Sequence, residues 1–147
     1  EKICNSLASK IKNEFNDFDL ILSPAMGGII IGYELGKILS KETIFSERVN
    51  GSFKLRRDFK IKKGDKVLIV EDVITTGKSS MECSELAILN NANIIGYACI
   101  IDRSNGKSEI KGKIVSQVKL NIPTYSKDNL PKELLSIEAV KPGSRNL

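Results

Sequence analysis

The sequence predicts a single α/β domain in which a mainly parallel sheet is flanked by helices. Apolar runs at residues 19–23, 67–70 and 94–101 lack the alternation of half-exposed strands, which is typical of strands buried on both faces. The first two runs are each followed by a loop that contains glycine and then by a helical stretch. A chain of 147 residues is long enough for one domain with a moderate core.

The first predicted helix spans residues 3–15 and precedes the first buried strand. Its apolar residues recur at every fourth position, so that one face of the helix packs on the core. These residues are Ile3, Leu7, Ile11 and Phe15. Asn16 and Asp17 end the helix, and the strand at residues 19–23 follows.

The loop at residues 24–28 carries Gly27 and Gly28 and opens a predicted helix at residues 29–39. Because free N–H groups and the positive end of the dipole lie at a helix N-terminus, this loop is a candidate anion site. A tight turn before a helix is the alternative. The loop does not match the dinucleotide fingerprint, since Ile29 stands where the second glycine would be.

A short strand at residues 43–46 leads into a basic segment at residues 47–61. Asn50 followed by Gly51 strongly indicates a hairpin turn. The flanking apolar alternation supports two strands, and its residues are Phe53, Leu55, Phe59 and Ile61. The basic side chains are Arg48, Lys54, Arg56, Arg57 and Lys60. Charge runs usually face water, so a solvated hairpin is one interpretation, and a flexible flap over an anionic substrate is the other.

The most informative stretch is residues 67–80, in which a buried strand leads into a loop and a helix. Glu71 and Asp72 close the apolar run, at the end of the strand where open α/β sheets place their ligands. A loop rich in hydroxyl groups follows, with Gly77 near its end. Residues 78–89 are predicted to be helical because one apolar stripe can face the sheet. That stripe consists of Cys83, Leu86 and Ala87.

This stretch predicts phosphate binding beside a pair of carboxylates. The N–H groups and the dipole at the start of the helix attract phosphate. Hydrogen bonds to a charged group contribute roughly 1.5–3 kcal/mol each, so several together hold it firmly. The predicted hydroxyl donors are Thr75, Thr76, Ser79 and Ser80. Glu71 and Asp72, which only accept hydrogen bonds when ionised, suit the hydroxyls of a sugar or a divalent cation.

Two other interpretations account less well for this stretch. Gly77, Lys78 and Ser79 resemble the end of a P-loop, but that motif requires a glycine where Asp72 stands. The second is a plain strand-turn-helix with a solvated acidic pair. Two adjacent acids after a wholly apolar strand are costly to place without partners.

The remaining elements are predicted from apolar runs and turn residues. Turns are predicted at residues 62–65 and 90–93, and strands at residues 94–101, which is buried, and 113–122. A short helix begins at residues 128–131, with Pro131 in its first turn. Asp102 and Arg103 close the strand at residues 94–101, which places Arg103 at the ligand edge of the sheet. A surface Asp–Arg pair, worth roughly 0–1 kcal/mol, is the alternative.

Composition excludes several classes of function. The chain contains no histidine, which removes imidazole zinc sites, His-based triads and His general bases. No apolar run is long enough for a membrane span, and we expect no secretory leader. The three cysteines have no close pairs, so we expect buried thiols in a reducing cytoplasm. A net charge of +5 fits a solvated basic surface, an anionic substrate or nucleic acid.

The central stretch resembles the phosphoribosyl-pyrophosphate (PRPP) signature of type I phosphoribosyltransferases. Four apolar residues precede an acidic pair, two further residues and Thr-Thr-Gly. The segment Val-Glu-Asp-Val-Ile-Thr-Thr-Gly is most similar to the orotate-specific branch of that family. The similarity covers residues 19–103 best. It implies the type I phosphoribosyltransferase fold. The implied reaction transfers the phosphoribosyl group from PRPP to orotate, giving orotidine 5′-phosphate and pyrophosphate in pyrimidine biosynthesis.

The resemblance implies roles for individual residues. Glu71 and Asp72 would hold the ribose and support catalysis, and residues 73–79 would wrap the 5′-phosphate. Thr75 and Arg103 would contact orotate, Arg103 through bidentate bonds from its planar guanidinium. The residues implied to bind PRPP are Glu71, Asp72, Val73, Ile74, Thr75, Thr76, Gly77, Lys78, Ser79, Met26, Gly27, Gly28 and Arg48.

The resemblance also implies roles for the two flanking loops. Many relatives carry a lysine where Gly27 stands, so pyrophosphate would be bound by backbone N–H groups, and a non-proline cis peptide is expected at Ala25–Met26. The basic hairpin corresponds to a flap that reaches into the neighbouring subunit's site. Arg48, Arg56 and Arg57 are its candidate pyrophosphate ligands, with Arg56 and Arg57 in a catalytic role. Longer relatives carry a histidine in this flap, which the present chain lacks.

The implied cofactor is Mg²⁺, held mainly by PRPP and water, and the implied assembly is a cytoplasmic homodimer without membrane or nucleic-acid partners. Relatives also carry an N-terminal Phe-x-x-x-Ser-Gly segment that covers the orotate pocket, and no stretch of residues 1–147 matches it. Two alternatives remain open. One is a purine phosphoribosyltransferase, and the other is a PRPP-sensing regulatory domain that binds nucleic acid, which a pI of about 9.1 would suit.

Overall fold

The fold is described from a computed structural model, which covers residues 1–123, 125–138 and 140. Its α-helices are α1 (Lys2–Glu14), α2 (Gly27–Leu39) and α3 (Lys78–Leu89). Its strands are β1 (Leu20–Pro24), β2 (Glu42–Val49), β3 (Ser52–Leu55), β4 (Lys66–Ile74), β5 (Asn93–Asp102) and β6 (Ile114–Lys119). Two short 3₁₀ helices, Lys127–Asn129 and Lys132–Leu134, follow β6.

The strands of the described chain form one six-stranded sheet in the order β3-β2-β1-β4-β5-β6. All neighbouring pairs are parallel except β2 and β3, which are antiparallel. The crossover from β1 through α2 leads to one side, and the crossover from β4 through α3 leads to the other. The carboxyl ends of β1 and β4 therefore meet at a topological switch point, where open α/β sheets bind ligands.

Two hydrophobic layers hold the helices on the sheet. Leu68 and Val70 of β4 pack with α1 and α2 on one face, and Val67 and Ile69 pack with α3 on the other. All four side chains are fully buried, and burial of each aliphatic side chain contributes about 1.5–3 kcal/mol. The prediction of a central strand that is buried on both faces is confirmed.

The hairpin turn is confirmed at Asn50 and Gly51, whose φ angles of 51° and 83° both lie in the left-handed region, as in a type I′ turn. The strand that enters the turn is longer than predicted. β2 continues to Val49, because its polar second half pairs with β3 after the pairing with β1 has ended at Ser46.

The predicted second half of the returning strand is wrong. β3 ends at Leu55, and a turn follows in which Arg57 and Asp58 have φ angles of 58° and 60°. Phe59 nevertheless packs edge-on against Phe45 with ring centroids 5.0 Å apart. The apolar alternation of this segment therefore reflects burial of a loop rather than strand pairing.

Smaller differences concern the ends of elements. α2 begins at Gly27, two residues earlier than predicted, and β6 is shorter than predicted at both ends. The predicted short helix near residues 128–131 is instead two 3₁₀ helices, because Leu130 is extended (φ −80°, ψ 136°), as expected before proline. The second 3₁₀ helix begins directly after Pro131.

The cysteines are free and buried, as predicted. Burial raises the pKa of Cys83 and of Cys99 to about 12, so neither thiol ionises near neutral pH. Within the residues that the structure describes, no helix combines the length and the apolar character needed to cross a bilayer.

Candidate active site

The loops that follow β1 and β4 lie side by side at the switch point. β1 pairs directly with β4, and the two loops open α2 and α3, which cover opposite faces of the sheet. Each helix therefore presents its N-terminal N–H groups beside the same edge. This arrangement can bind two anionic groups of one ligand.

The β4–α3 loop forms a polar pocket of about 190 Å³. That volume is several times the roughly 30 Å³ occupied by a water molecule. The residues that line the pocket are Glu71, Asp72, Val73, Thr75, Thr76, Gly77, Lys78 and Ser79. The structure thus brings together the acidic pair and the loop, as the sequence predicts. In the described chain no large apolar side chain closes the pocket.

Glu71 and Asp72 reach this pocket from opposite faces of the sheet, because successive side chains of a strand alternate. The Glu71 carboxylate accepts a hydrogen bond from the Ser80 hydroxyl in the first turn of α3. The Asp72 carboxylate lies against Gly27 at the start of α2, and its Oδ1 accepts a hydrogen bond of 2.9 Å from the Val73 N–H. The acidic pair therefore connects both loops.

The β4–α3 loop is held by the connection between β5 and β6. The Ile74 carbonyl accepts a hydrogen bond from the Arg103 N–H at 2.8 Å, and the Thr76 carbonyl accepts one from the Glu109 N–H at 3.0 Å. Gly77, with φ 85°, lies against Ile110, so a Cβ at position 77 would come within 2.6 Å of the Ile110 side chain. The loop is thereby fixed before any ligand binds.

The structure limits one predicted ligand contact to the backbone and redirects one predicted hydroxyl donor. The Ile74 side chain is only 1% exposed and belongs to the core on the α3 face, so only its backbone can face a ligand. Ser80 was expected to donate to phosphate, but its side chain lies on the buried face of α3 and donates to Glu71.

The β1–α2 loop completes the second half of the site. The Ala25–Met26 peptide bond is cis, as the family resemblance implied. Gly27 and Gly28 form the first turn of α2, and a Cβ at position 28 would come within 3.0 Å of the Val70 carbonyl oxygen. Close packing of the helix start on β4 thus requires a glycine here.

The arginines of the hairpin do not line the β4–α3 pocket of the described chain. Arg48 pairs with Glu82 of α3 and stacks on Phe53, with its Cζ 4.2 Å from the ring centroid. Arg57 makes two hydrogen bonds of 3.0 Å to the Glu47 carboxylate, which lower the pKa of Glu47. Arg56 is exposed to solvent. The flap role of these residues stays a prediction.

Arg103 lies at the ligand edge of the sheet, as predicted. Ile74 and Asp102 are register partners in β4 and β5, so Thr75 and Arg103 leave the sheet side by side. The Asp102 carboxylate is buried and accepts a hydrogen bond from the Ser104 N–H at 2.9 Å. The Arg103 side chain is exposed.

The carboxylates of the site suit a hard cation that is bound by the protein and by a substrate together. Among the described residues there is no cluster of three or more His, Cys, Asp or Glu side chains. Glu71 and Asp72 supply two carboxylates next to a phosphate pocket. Mg²⁺ is typically bound by one or two carboxylates together with substrate phosphates, and the residues present fit such a mode.

Sequence reasoning missed three contacts that shape the site: the packing of Gly27 on Asp72, the bond of Ser80 to Glu71, and the support of the β4–α3 loop by Glu109 and Ile110. The adjacent glycines at positions 27 and 28 were the only sequence indication of the first contact. The other two join residues whose proximity depends on the helix phase and on a loop conformation.

Comparisons with known proteins agree with this geometry. The family model for the phosphoribosyl transferase domain matches residues 1–129. The chain is 49% identical over 150 residues to an orotate phosphoribosyltransferase from Methylorubrum populi, with 100% of this chain and 76% of that protein covered. It is 43% identical over 148 residues to an orotate phosphoribosyltransferase from Maricaulis maris, again with 100% and 76% covered.

Solved structures share the fold. A crystal structure of orotate phosphoribosyltransferase from Aeropyrum pernix matches with a TM-score of 0.68 at 23% identity, covering 81% of this chain and 70% of that chain. A crystal structure of adenine phosphoribosyltransferase matches with a TM-score of 0.69 at 21% identity, covering 80% and 78%. At these identities the structural likeness establishes the fold alone.

Proposed function

The chain belongs to the orotate phosphoribosyltransferases of the phosphoribosyl transferase family, and we propose how its residues perform that reaction. The enzyme transfers the phosphoribosyl group of PRPP to orotate and produces orotidine 5′-phosphate and pyrophosphate. It is thus a glycosyltransferase of pyrimidine biosynthesis. The observation that carries the assignment of residues is the polar pocket that Glu71 and Asp72 share with the β4–α3 loop.

The 5′-phosphate of PRPP binds to the loop at residues 73–79, through backbone N–H groups at the start of α3 and through hydroxyl groups. Glu71 and Asp72 accept hydrogen bonds from the ribose hydroxyls. As the bond to pyrophosphate breaks, positive charge develops at the anomeric centre, and these carboxylates stabilise it. The pyrophosphate lies on the N–H groups of Met26, Gly27 and Gly28, at the start of α2.

Mg²⁺ is the proposed cofactor, in keeping with the family and with the two carboxylates of the pocket. The ion would be held by PRPP oxygens, water and the Asp72 carboxylate, and it would offset negative charge on the leaving group. Arg48, Arg56 and Arg57 contact pyrophosphate when the hairpin closes. Arg48 and Arg57 must then exchange Glu82 and Glu47 for the ligand.

The experiment that tests the function is a substrate panel. The enzyme is assayed with PRPP, Mg²⁺ and each of orotate, uracil, adenine, guanine and hypoxanthine, with release of pyrophosphate as the readout. Consumption of PRPP with orotate alone is expected. Turnover of a purine base without orotate turnover would favour the purine-specific alternative. PRPP binding without turnover of any base, together with salt-sensitive RNA binding, would favour the regulatory one.

Arg103 is the proposed orotate ligand, and Arg103→Ala is expected to raise the KM for orotate by at least about tenfold, since it removes a charge-assisted pair worth roughly 1.5–3 kcal/mol. The KM for PRPP should change little. Arg103→Lys should recover only part of the loss, because an ammonium lacks the planar fork. Lys107→Ala, which removes an exposed charge from the same connection, is the control. Equal weakening of both substrates by Arg103→Ala would contradict a direct orotate contact.

We also propose that a second copy of the chain binds to α2. Met26, Ile30 and Tyr33 recur at intervals of four and three residues and are 82%, 80% and 65% exposed. A contiguous stripe of this kind beside a substrate loop indicates an interface, and most oligomers are homo-oligomers with closed symmetry. The proposed assembly is a homodimer, and a reducing cytoplasm, in keeping with the buried free thiols, is its proposed location.

Ile30→Lys is expected to convert the dimer to a monomer in sedimentation velocity, because a charge would be buried without a partner at the centre of the stripe. The residue is exposed in the single chain, so the fold of the monomer should persist. Leu89→Lys on α3 is the matched control, since Leu89 is also 80% exposed but lies on another helix. A dimer that survives Ile30→Lys and dissociates with Leu89→Lys would place the interface on α3.

A further inference from the structure

Glu71 is held by a donor that lies outside the loop. Its side chain leaves β4 on the α3 face, and its carboxylate accepts a hydrogen bond from the Ser80 hydroxyl. Glu71 is half-buried, whereas Ser80 is 0% exposed. The donor therefore approaches the carboxylate from the buried side of α3, while Glu71 also lines the pocket.

Ser80 is itself fixed by its surroundings. It occupies the first turn of α3, where the Met81 N–H donates to the Gly77 carbonyl at 2.9 Å. The Ser80 carbonyl accepts a hydrogen bond of 2.9 Å from the Ser84 hydroxyl, and that hydroxyl also lies 2.7 Å from the Tyr97 hydroxyl of β5. This buried polar chain anchors the start of α3 to the sheet and thereby fixes the backbone that carries the Ser80 hydroxyl.

A glutamate carries several rotatable bonds, and ordering it at the moment of substrate binding has an entropic cost. A neutral hydroxyl that donates to the carboxylate is a charge-assisted bond, and it orders the side chain before the substrate arrives. Such preorganisation is the established way in which surrounding residues make a binding group effective. Ser80 also links ribose binding to phosphate binding, because the same helical turn offers N–H groups to the phosphate.

We propose that Ser80 is a positioning residue that holds the Glu71 carboxylate in the orientation needed to bind the ribose of PRPP. The inference rests on the proposed role of Glu71 in ribose binding. Ser80 acts on the substrate only through Glu71, and its buried hydroxyl does not contact the 5′-phosphate.

The test is a double-mutant cycle with Ser80→Ala and Glu71→Ala, measured as kcat and KM for each substrate. Ser80→Ala alone is expected to raise the KM for PRPP and to lower kcat/KM for PRPP roughly tenfold, as loss of one bond to a charged group predicts. The KM for orotate should stay the same. In the Glu71→Ala background the carboxylate that Ser80 positions is absent, so Ser80→Ala should change kcat/KM by less than about twofold.

Ser46→Ala is the matched control. It removes another buried hydroxyl beside α3, which lies 3.1 Å from the Cys83 sulfur and is not part of the Ser80–Ser84–Tyr97 chain. Its effect on kcat/KM for PRPP, if any, should be the same in both backgrounds. Thermal unfolding of each variant shows how much fold stability each hydroxyl contributes, and all kinetics are measured at a temperature at which every variant is folded.

The outcomes separate the two proposals. An equal loss for Ser80→Ala with and without Glu71 would overturn the positioning role and leave the role of Glu71 intact. Wild-type kinetics in Ser80→Ala, with Glu71→Ala strongly impaired, would do the same. Near-normal activity of Glu71→Ala would overturn ribose binding by Glu71 and the positioning role together.

Discussion

Asp72→Asn is expected to slow turnover about 100-fold or more, which is the typical effect of removing one preorganised electrostatic contact to the transition state. The reason is that Asn keeps the shape of Asp but cannot offset positive charge at the anomeric centre. The Asn oxygen can still accept the hydrogen bond from the Val73 N–H that Asp72 accepts at 2.9 Å, so the fold should be unchanged. The measurement is kcat with saturating PRPP and orotate, beside a thermal unfolding curve.

Glu85→Gln is the control for Asp72→Asn, because it removes an exposed carboxylate from α3 without touching the pocket. A rate near wild type for Asp72→Asn would contradict the assignment of Asp72. A similar loss of rate in Glu85→Gln would show that net charge, rather than the local carboxylate, limits the reaction.

Gly27→Ala is expected to lower kcat/KM for PRPP by about 100-fold or more, because it acts on both halves of the site at once. The added Cβ would come within 2.6 Å of Asp72 Cγ and 2.8 Å of Asp72 Oδ1. Either the carboxylate must turn away from the ribose, or the start of α2 must move away from the pyrophosphate. Both displacements remove contacts that the reaction needs.

Stability distinguishes this prediction from general damage. Alanine is a better helix former than glycine by about 1 kcal/mol, and position 27 is helical. This gain offsets the cost of displacing the Asp72 carboxylate, so the melting temperature should be nearly unchanged. In an Asp72→Ala background the obstacle is gone, and Gly27→Ala should cost little further activity. A variant that loses both activity and several degrees of melting temperature would indicate that α2 itself is disrupted.

The parts of the fold that were predictable are those set by local sequence. The unbroken apolar run before Glu71 indicated a strand buried on both faces, and Asn50 with Gly51 indicated a type I′ turn, because few other residues adopt those φ angles. The phosphate loop was predictable for the same reason. Its glycine, hydroxyl residues and following helix are contiguous in the chain.

The parts that were not predictable depend on tertiary contacts. Ser80 and Ser79 are equivalent as hydroxyl donors in the sequence, but the phase of α3 buries one beside Glu71 and leaves the other at the pocket. Phe59 and Ile61 alternate like strand residues, yet their burial comes from a loop that packs on β2. The pairing of Arg48 with Glu82 joins residues 34 positions apart, which no local pattern indicates.

The opposite directions of Glu71 and Asp72 mean that the order of the two acids is not interchangeable. The longer side chain extends across the α3 face as far as Ser80, a reach that aspartate lacks. The shorter one lies against the bare Cα of Gly27, and one more methylene would push its carboxylate towards the start of α2. A chain with Asp at 71 and Glu at 72 would carry the same charge and the same composition, yet it would leave one loop out of contact and crowd the other.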